Sequence, residues 1–108
     1  MQMVLVYITC ANQDEARRIG QELVRQHLAA CTNVFPAVES FFYWEERLEQ
    51  AKEAVVVAKT TEEKASMVVE AVCKWHSYTV PAVIVLPVEG GNPAFIKWVL
   101  SEVGSCRQ

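Results

Sequence analysis

The sequence predicts an α+β fold of the ferredoxin-like type, and two observations predict it. The chain has 108 residues, of which 52% are hydrophobic and 21% are charged, as in a single globular domain. Apolar runs of strand length alternate with stretches of helical periodicity in the order β-α-β-β-α-β-α. Because helices form both crossovers, this order matches the split βαβ arrangement with one added C-terminal helix, over one domain at residues 1–108.

The first predicted unit is a strand followed by a helix. Residues 3–8 are β-branched, aromatic or otherwise apolar without polar alternation, which predicts a strand covered on both faces. Asn12 stands three residues before Glu15, the spacing of a capping box. The apolar residues that follow recur at helical spacing, so the predicted helix covers residues 13–28.

The middle of the chain predicts a strand, a short helix and a further strand. Residues 31–44 carry many β-branched and aromatic side chains and predict a long bent strand, in which Pro36 requires an edge or a bulge. Residues 45–54 consist of strong helix formers, so local propensity favours a short helix before the next predicted strand at residues 55–58.

The segment after residue 58 predicts the second helix. Thr60, with Glu63 three residues later, predicts the N-terminal cap of the second helix. The buried face of that helix is predicted to consist of Ala65, Val68, Val69, Val72 and Trp75.

The final strand and helix are separated by the clearest break in the chain. Residues 80–88 predict the fourth strand, and Gly90, Gly91 and Asn92 interrupt the pattern. Asn92 suits a helix N-cap and the proline after it suits the first helical position, so a short helix is predicted at residues 93–103.

The predicted strands lack the polar alternation of a sheet with one solvated face. Both crossover helices of this arrangement lie on one face of the sheet, so the apolar residues of the other face need a second cover. The C-terminal helix can cover part of that face, but it is itself apolar around most of its circumference. We therefore expect the chain to form a homo-oligomer.

Four segments in order resemble the CutA family of divalent cation tolerance proteins: YITC, LAACTNVFPAVESFFYWEE, HSYTVP and GNPAFIKWVL. The resemblance covers nearly the whole chain. It implies a ferredoxin-like subunit in a homotrimer with PII-like architecture, and a protein involved in the response to divalent metal ions. It also implies that strands two and three form a long hairpin, which we expect in place of the short helix.

The chain departs from the family pattern at two points. Relatives commonly have Gly-Lys at the hairpin tip, where this chain has Glu46 and Arg47, so the geometry of the tip stays open. Relatives also tend to have His-Pro-Tyr and an acidic or amide residue where this chain has HSYTVP, which removes one candidate ligand oxygen.

Cys10 and His76 are the candidate metal ligands. Thiolate and imidazole are borderline-soft donors, and the resemblance implies that these positions bind a copper-type or other divalent ion. The structural alternative is that Cys10 packs at the end of the first strand and His76 ends the second helix.

Composition argues against several other classes of protein. The net charge is −3 and the pI is about 5.4, so the basic surface of a nucleic-acid-binding protein is lacking. The sequence has no apolar stretch of membrane-spanning length and no basic residues ahead of its first apolar run, so we expect a cytoplasmic protein without a membrane partner. The four cysteines form no C-x-x-C pair.

The sequence favours a binding protein over an enzyme. It lacks a combination of nucleophile, base and orienting group, and the glycines before the last helix lack the spacing of a phosphate-binding loop. We expect no catalytic residues and no organic cofactor. The alternative function is a PII-like sensor that binds a small anionic metabolite or nucleotide between subunits.

Overall fold

A computed structural model of the chain describes residues 2–104. It contains four strands and three helices in the order predicted. The elements are β1 Met3–Cys10, α1 Gln13–Arg25, β2 Cys31–Trp44, β3 Arg47–Thr61, α2 Ala65–Trp75, β4 Val83–Pro87 and α3 Pro93–Gly104.

The strands form one sheet in the order β2-β3-β1-β4, and every neighbouring pair is antiparallel. This order, with α1 and α2 as crossovers, confirms the predicted α+β ferredoxin-like fold. Alternate residues of β1 and β3 pack against α1 and α2 in the main core, which includes Val6, Ile8, Ala16, Ile19, Leu23, Val56, Val68 and Val72. On the other face, α3 packs on β1 and β3, with Lys59 Nζ 5.4 Å from the centre of the Phe95 ring.

β2 and β3 form the long hairpin, and the short helix favoured by local propensity at residues 45–54 is wrong. Trp44 pairs with Arg47, and the two turn residues are Glu45 and Glu46, with φ of 50° and 67°. Positive φ at both central residues is the conformation of a type I′ turn, which matches the twist of the flanking strands. The tip therefore lies one residue earlier than the Glu46-Arg47 pair suggested by the resemblance.

Pro36 occupies a position in the sheet that proline tolerates. β2 is an edge strand, and its register with β3 shifts between Phe35 and Val38. Proline has no N–H, and at this bulge residue 36 does not have to donate a hydrogen bond to β3.

α1 ends at Arg25, three residues before the predicted end at Leu28. His27 has a φ of 59°, its N–H donates to Val24 O, and the N–H of Leu28 donates to Leu23 O at 2.9 Å. These bonds form a Schellman motif with histidine at the position that glycine usually occupies. Because the sequence has no glycine there, the pattern did not predict the helix end.

Thr60 does not cap α2, so that prediction is wrong. Thr60 lies in β3, where its buried hydroxyl donates a 2.6 Å hydrogen bond to Leu28 O. The N-cap position of α2 is Lys64, whose N–H donates to the hydroxyl oxygen of Thr61 at 3.3 Å. β3 is thus longer than predicted and holds the loop after α1.

At the C-terminal end, β4 covers only the central part of the predicted residues 80–88, and α3 extends one residue beyond the predicted 93–103. Asn92 caps α3 as predicted, because its Oδ1 accepts a 3.0 Å hydrogen bond from the N–H of Ala94. No helix among residues 2–104 is long and apolar enough to cross a membrane.

Candidate metal centre

Cys10, Glu15 and His76 meet at one end of the sheet. Cys10 ends β1, Glu15 lies in the first turn of α1, and His76 is the C-cap residue of α2. All three are buried, and one potential ligand atom from each lies within 4.8 Å of the others. The fold therefore brings together three elements that are far apart in sequence, and we call these residues the triad.

Both ring nitrogens of His76 are hydrogen-bonded. Nδ1 accepts the backbone N–H of Tyr78 at 3.0 Å, and Nε2 lies 2.7 Å from the carbonyl oxygen of Thr9. A carbonyl oxygen only accepts, so Nε2 carries the proton and donates it to Thr9. The ring is thus a neutral imidazole whose lone pair is on Nδ1, the atom that lies 3.8 Å from Glu15 Oε2.

Glu15 is a buried carboxylate with backbone partners on both oxygens. Oε1 accepts from Ala11 N–H at 2.8 Å, and Oε2 accepts from Ser77 N–H at 2.7 Å. Burial by itself raises the pKa of Glu15, but these hydrogen bonds outweigh it and lower the pKa below the ordinary value. Glu15 therefore stays ionised and ties the start of α1 to the end of α2.

Cys10 is a fully buried thiol next to that carboxylate. Burial, and after it the negative charge of Glu15, raise the pKa of Cys10 from its ordinary 9.0 to about 12. The protonated thiol is a poor nucleophile, and a metal ion bound to its sulfur would have to displace the proton.

The structure places the two predicted metal ligands, Cys10 and His76, close together. Each of them also has the structural role that was the alternative to metal binding. Cys10 packs in the core at the end of β1, and His76 ends α2. Sequence reasoning missed Glu15, which it placed in a capping box with Asn12. Half of that box exists, since Glu15 N–H donates to Asn12 Oδ1 at 2.9 Å, but the carboxylate bonds to other residues.

A signal for Glu15 was present in the sequence. It is four residues before Ile19 and eight before Leu23, so all three lie on the same face of α1. Ile19 and Leu23 are fully buried in the core. A carboxylate on the buried face of an amphipathic helix needs hydrogen-bond or charge partners. A glutamate at such a position therefore indicates a functional or structural cluster of polar groups.

The donor atoms of the triad are of types that bind divalent metal ions. It offers sulfur, imidazole nitrogen and carboxylate oxygen, which together suit a borderline-soft ion. Glu15 keeps acceptor capacity on each oxygen beyond its single backbone bond, whereas the Nδ1 lone pair of His76 is already used by Tyr78. Metal ligation by His76 therefore requires the Tyr78 N–H to leave Nδ1.

Comparisons with known proteins agree on one family. The sequence profile of the CutA1 divalent ion tolerance protein family matches residues 4–102. The chain is 42% identical over 94 residues to the divalent-cation tolerance protein CutA of Archaeoglobus fulgidus, covering 87% of this chain and 91% of that one. It is 43% identical over 93 residues to the CutA homolog of Xenopus laevis, covering 86% of this chain and 62% of that longer protein.

A solved structure has the same architecture. The periplasmic divalent cation tolerance protein CutA of Archaeoglobus fulgidus matches with a TM-score of 0.88 and 39% sequence identity. The match covers 94% of this chain and 98% of the other chain. Sequence and structure therefore give the same relationship along almost the whole length.

Proposed function

The chain belongs to the CutA1 family of divalent ion tolerance proteins, and from that premise we propose that it binds a divalent metal ion through Cys10, Glu15 and His76. The observation that carries the proposal is the convergence of three buried donor atoms of different chemistry within 4.8 Å. The comparisons do not favour the alternative of a PII-like sensor for an anionic metabolite.

Copper is the ion that we propose for this site. Thiolate and imidazole together select ions such as copper and zinc over magnesium and calcium, which prefer oxygen ligands. Copper also lies above zinc in the general order of affinity for divalent ions. The single carboxylate of Glu15 is compatible with either ion.

The hydrogen bonds of the triad predict modest affinity. A bound ion displaces the proton of Cys10 and the Tyr78 N–H from His76 Nδ1, and both changes reduce the net gain from ligation. Because the thiol must lose its proton, affinity should fall as the pH is lowered.

We also propose that the chain functions as a homotrimer, as the family resemblance implies. The support from the structure is the number of apolar side chains exposed in the single chain. On one face of the hairpin these include Phe41, Tyr43 and Leu48, which are between 62% and 74% exposed. Contiguous exposed apolar surface of this kind is typical of a subunit contact.

A binding role rather than a catalytic one is part of this proposal. Cys10 is the nucleophilic side chain at the triad, and its raised pKa keeps the thiol protonated at neutral pH. The lowered pKa of Glu15 keeps its carboxylate ionised, so Glu15 has no proton to donate as a catalytic acid, and its two backbone N–H partners hold it in place as an acceptor.

The experiment is calorimetric titration of the assembled protein with Cu²⁺ and separately with Zn²⁺, after its cysteines have been reduced and the reductant has been removed under anaerobic conditions. We expect Cys10→Ser, Glu15→Gln and His76→Gln each to weaken Cu²⁺ binding by about 10- to 100-fold. Matched controls are Cys31→Ser and His27→Gln, which change the same residue types outside the triad. The proposal fails if the controls lose as much affinity as the triad variants, or if folded triad variants bind Cu²⁺ as the parent does.

A further inference from the structure

A cleft of ≈ 930 Å³ lies between the hairpin and residues 77–80. Its size is within the range of small-molecule sites. The side chains that give it chemical character are Phe42, Trp44, Glu49, Glu53 and Tyr78. Three of them are aromatic and two are acidic.

The hairpin register explains why these side chains share one wall. Side chains alternate between the two faces of a strand, and cross-strand partners lie on the same face. Phe42 is opposite Glu49, and Trp44 lies two residues further on the same face. The wall of the cleft is therefore built from every second residue of β2 and β3.

Tyr78 forms the facing wall and is fixed in place. Its hydroxyl donates a 2.6 Å hydrogen bond to Glu53 Oε2, and its ring centre lies 4.8 Å from that of His76. The phenol is the donor in this bond, so the negative charge remains on the Glu53 carboxylate.

The cleft carries negative charge without a matching cation. No lysine or arginine is among its lining residues. Within residues 2–104, the side chain of half-buried Glu49 makes no hydrogen bond or ion pair, and that of half-buried Glu53 bonds only to Tyr78. Two carboxylates beside three aromatic rings provide an environment that attracts a cation with an apolar surface.

We propose that this cleft binds a small organic ammonium ion. Aromatic faces attract such ions through their quadrupole, and the two carboxylates supply charge complementarity. An anionic ligand would meet the charges of Glu49 and Glu53 directly. An apolar surface of a second copy would remove both carboxylates from water without a partner, which is unfavourable.

None of the triad residues lines this cleft, although Tyr78 is hydrogen-bonded to His76 and would have to shift if His76 bound a metal ion. The ring of Tyr78 lines the cleft, whereas the ring of His76 is buried behind it. Its ligand contacts would come from the hairpin wall and from Tyr78. The binding test is therefore run with a chelator present, so that a failure of the metal proposal leaves it unaffected.

The test uses choline as the cationic probe and 3,3-dimethylbutan-1-ol as a neutral probe of the same shape. Calorimetry on the assembled protein should show choline binding at least about ten-fold more tightly than the neutral probe. The anionic nucleotide ATP, titrated in parallel, should not bind in the cleft.

Variants locate the site. The double variant Glu49→Gln with Glu53→Gln should weaken choline binding by at least about ten-fold while keeping an acceptor for Tyr78. Glu39→Gln is the matched control, because Glu39 pairs with Lys52 on the opposite face of the hairpin. This control should leave choline affinity within about two-fold of the parent.

Three results would overturn the proposal. The first is equal binding of choline and its neutral analogue, which would indicate a purely apolar site. The second is loss of choline binding in Glu39→Gln to the same extent as in the double variant. The third is absence of choline binding to the assembled protein, which would mean that a second copy fills the cleft.

Discussion

His76 donates its Nε2 proton to the carbonyl oxygen of Thr9 at 2.7 Å, although the two residues are 67 positions apart in sequence. This bond fixes the imidazole with its lone pair on Nδ1, on the side of Glu15. The orientation of the ring is thus set by the sheet, and any metal ion at the triad must approach from the carboxylate side.

Glu15 should stabilise the folded chain at neutral pH and lose this effect at acid pH. Its pKa is lower in the folded chain than in the unfolded chain, so its contribution is present above about pH 4.5 and is lost as the pH falls through the folded pKa. Glu15→Gln should lower the free energy of unfolding at pH 7 by about 1 to 3 kcal/mol and flatten the acid dependence. Urea unfolding from pH 3 to 7 measures both, with exposed Asp14→Asn as control.

Cys10 should destabilise the fold at alkaline pH. Its folded pKa is about 12 against an ordinary 9.0, so the unfolded chain loses the proton first and stability falls as the pH rises from 9 to 12. Cys10→Ala should show a shallower decline in urea unfolding under reducing conditions. Cys73→Ala, which removes an exposed thiol, should decline as the parent does.

Replacing His27 by glycine should stabilise the protein. His27 has a φ of 59°, a conformation that L side chains adopt at a cost and that glycine adopts freely. His27→Gly should therefore raise the free energy of unfolding by about 1 kcal/mol, visible as a higher Tm. Gln26→Gly should lower it, because Gln26 has a φ of −89°; a gain in both variants would contradict the explanation.

The hairpin tip offers a second stabilising change. Glu46 has a φ of 67° in a two-residue turn, where glycine is favoured. Glu46→Gly should raise the Tm by an amount equivalent to about 1 kcal/mol and leave the native mass unchanged. A lower Tm would instead indicate that residues 45–54 are helical, since glycine costs a helix about 1 kcal/mol.

Tyr43→Ala should loosen the proposed trimer. Tyr43 is 74% exposed in the single chain, and large aromatic residues often carry the binding energy of an interface. We expect a loss of about 2 kcal/mol or more per contact, with a lower Tm and less trimer in native mass spectrometry. Met67→Ala, an exposed residue on α2, is the control and should leave the trimer population intact.

The fold class was predictable because hydrophobic period and element order are properties of the sequence. The hairpin was harder to predict, because residues 45–54 prefer a helix locally while their pairing partners lie in β2. Strand pairing overrides that preference, and the turn uses two glutamates where a glycine would have signalled it. The early end of α1 escaped prediction for the same reason at His27.

The triad was predictable only in part. Donor chemistry and the family resemblance indicate Cys10 and His76, but sequence spacing does not show that β1 and α2 end side by side. Glu15 was assigned to a local cap, whereas its carboxylate bonds to Ser77, 62 positions away. Long-range partners of a buried charge become visible only once the crossover connections are placed.

The length of the hairpin has a consequence for local unfolding. β1 pairs with β3 only as far as Cys10 opposite Ala54, so residues 47–53 have a single neighbouring strand. A two-stranded ribbon is marginally stable in water by itself. In a dissociated chain the amide protons of residues 47–53 should therefore exchange with solvent far faster than those of the four-stranded region. Slow exchange at the hairpin end would then be a property of the assembled protein, conferred on each chain by its neighbours.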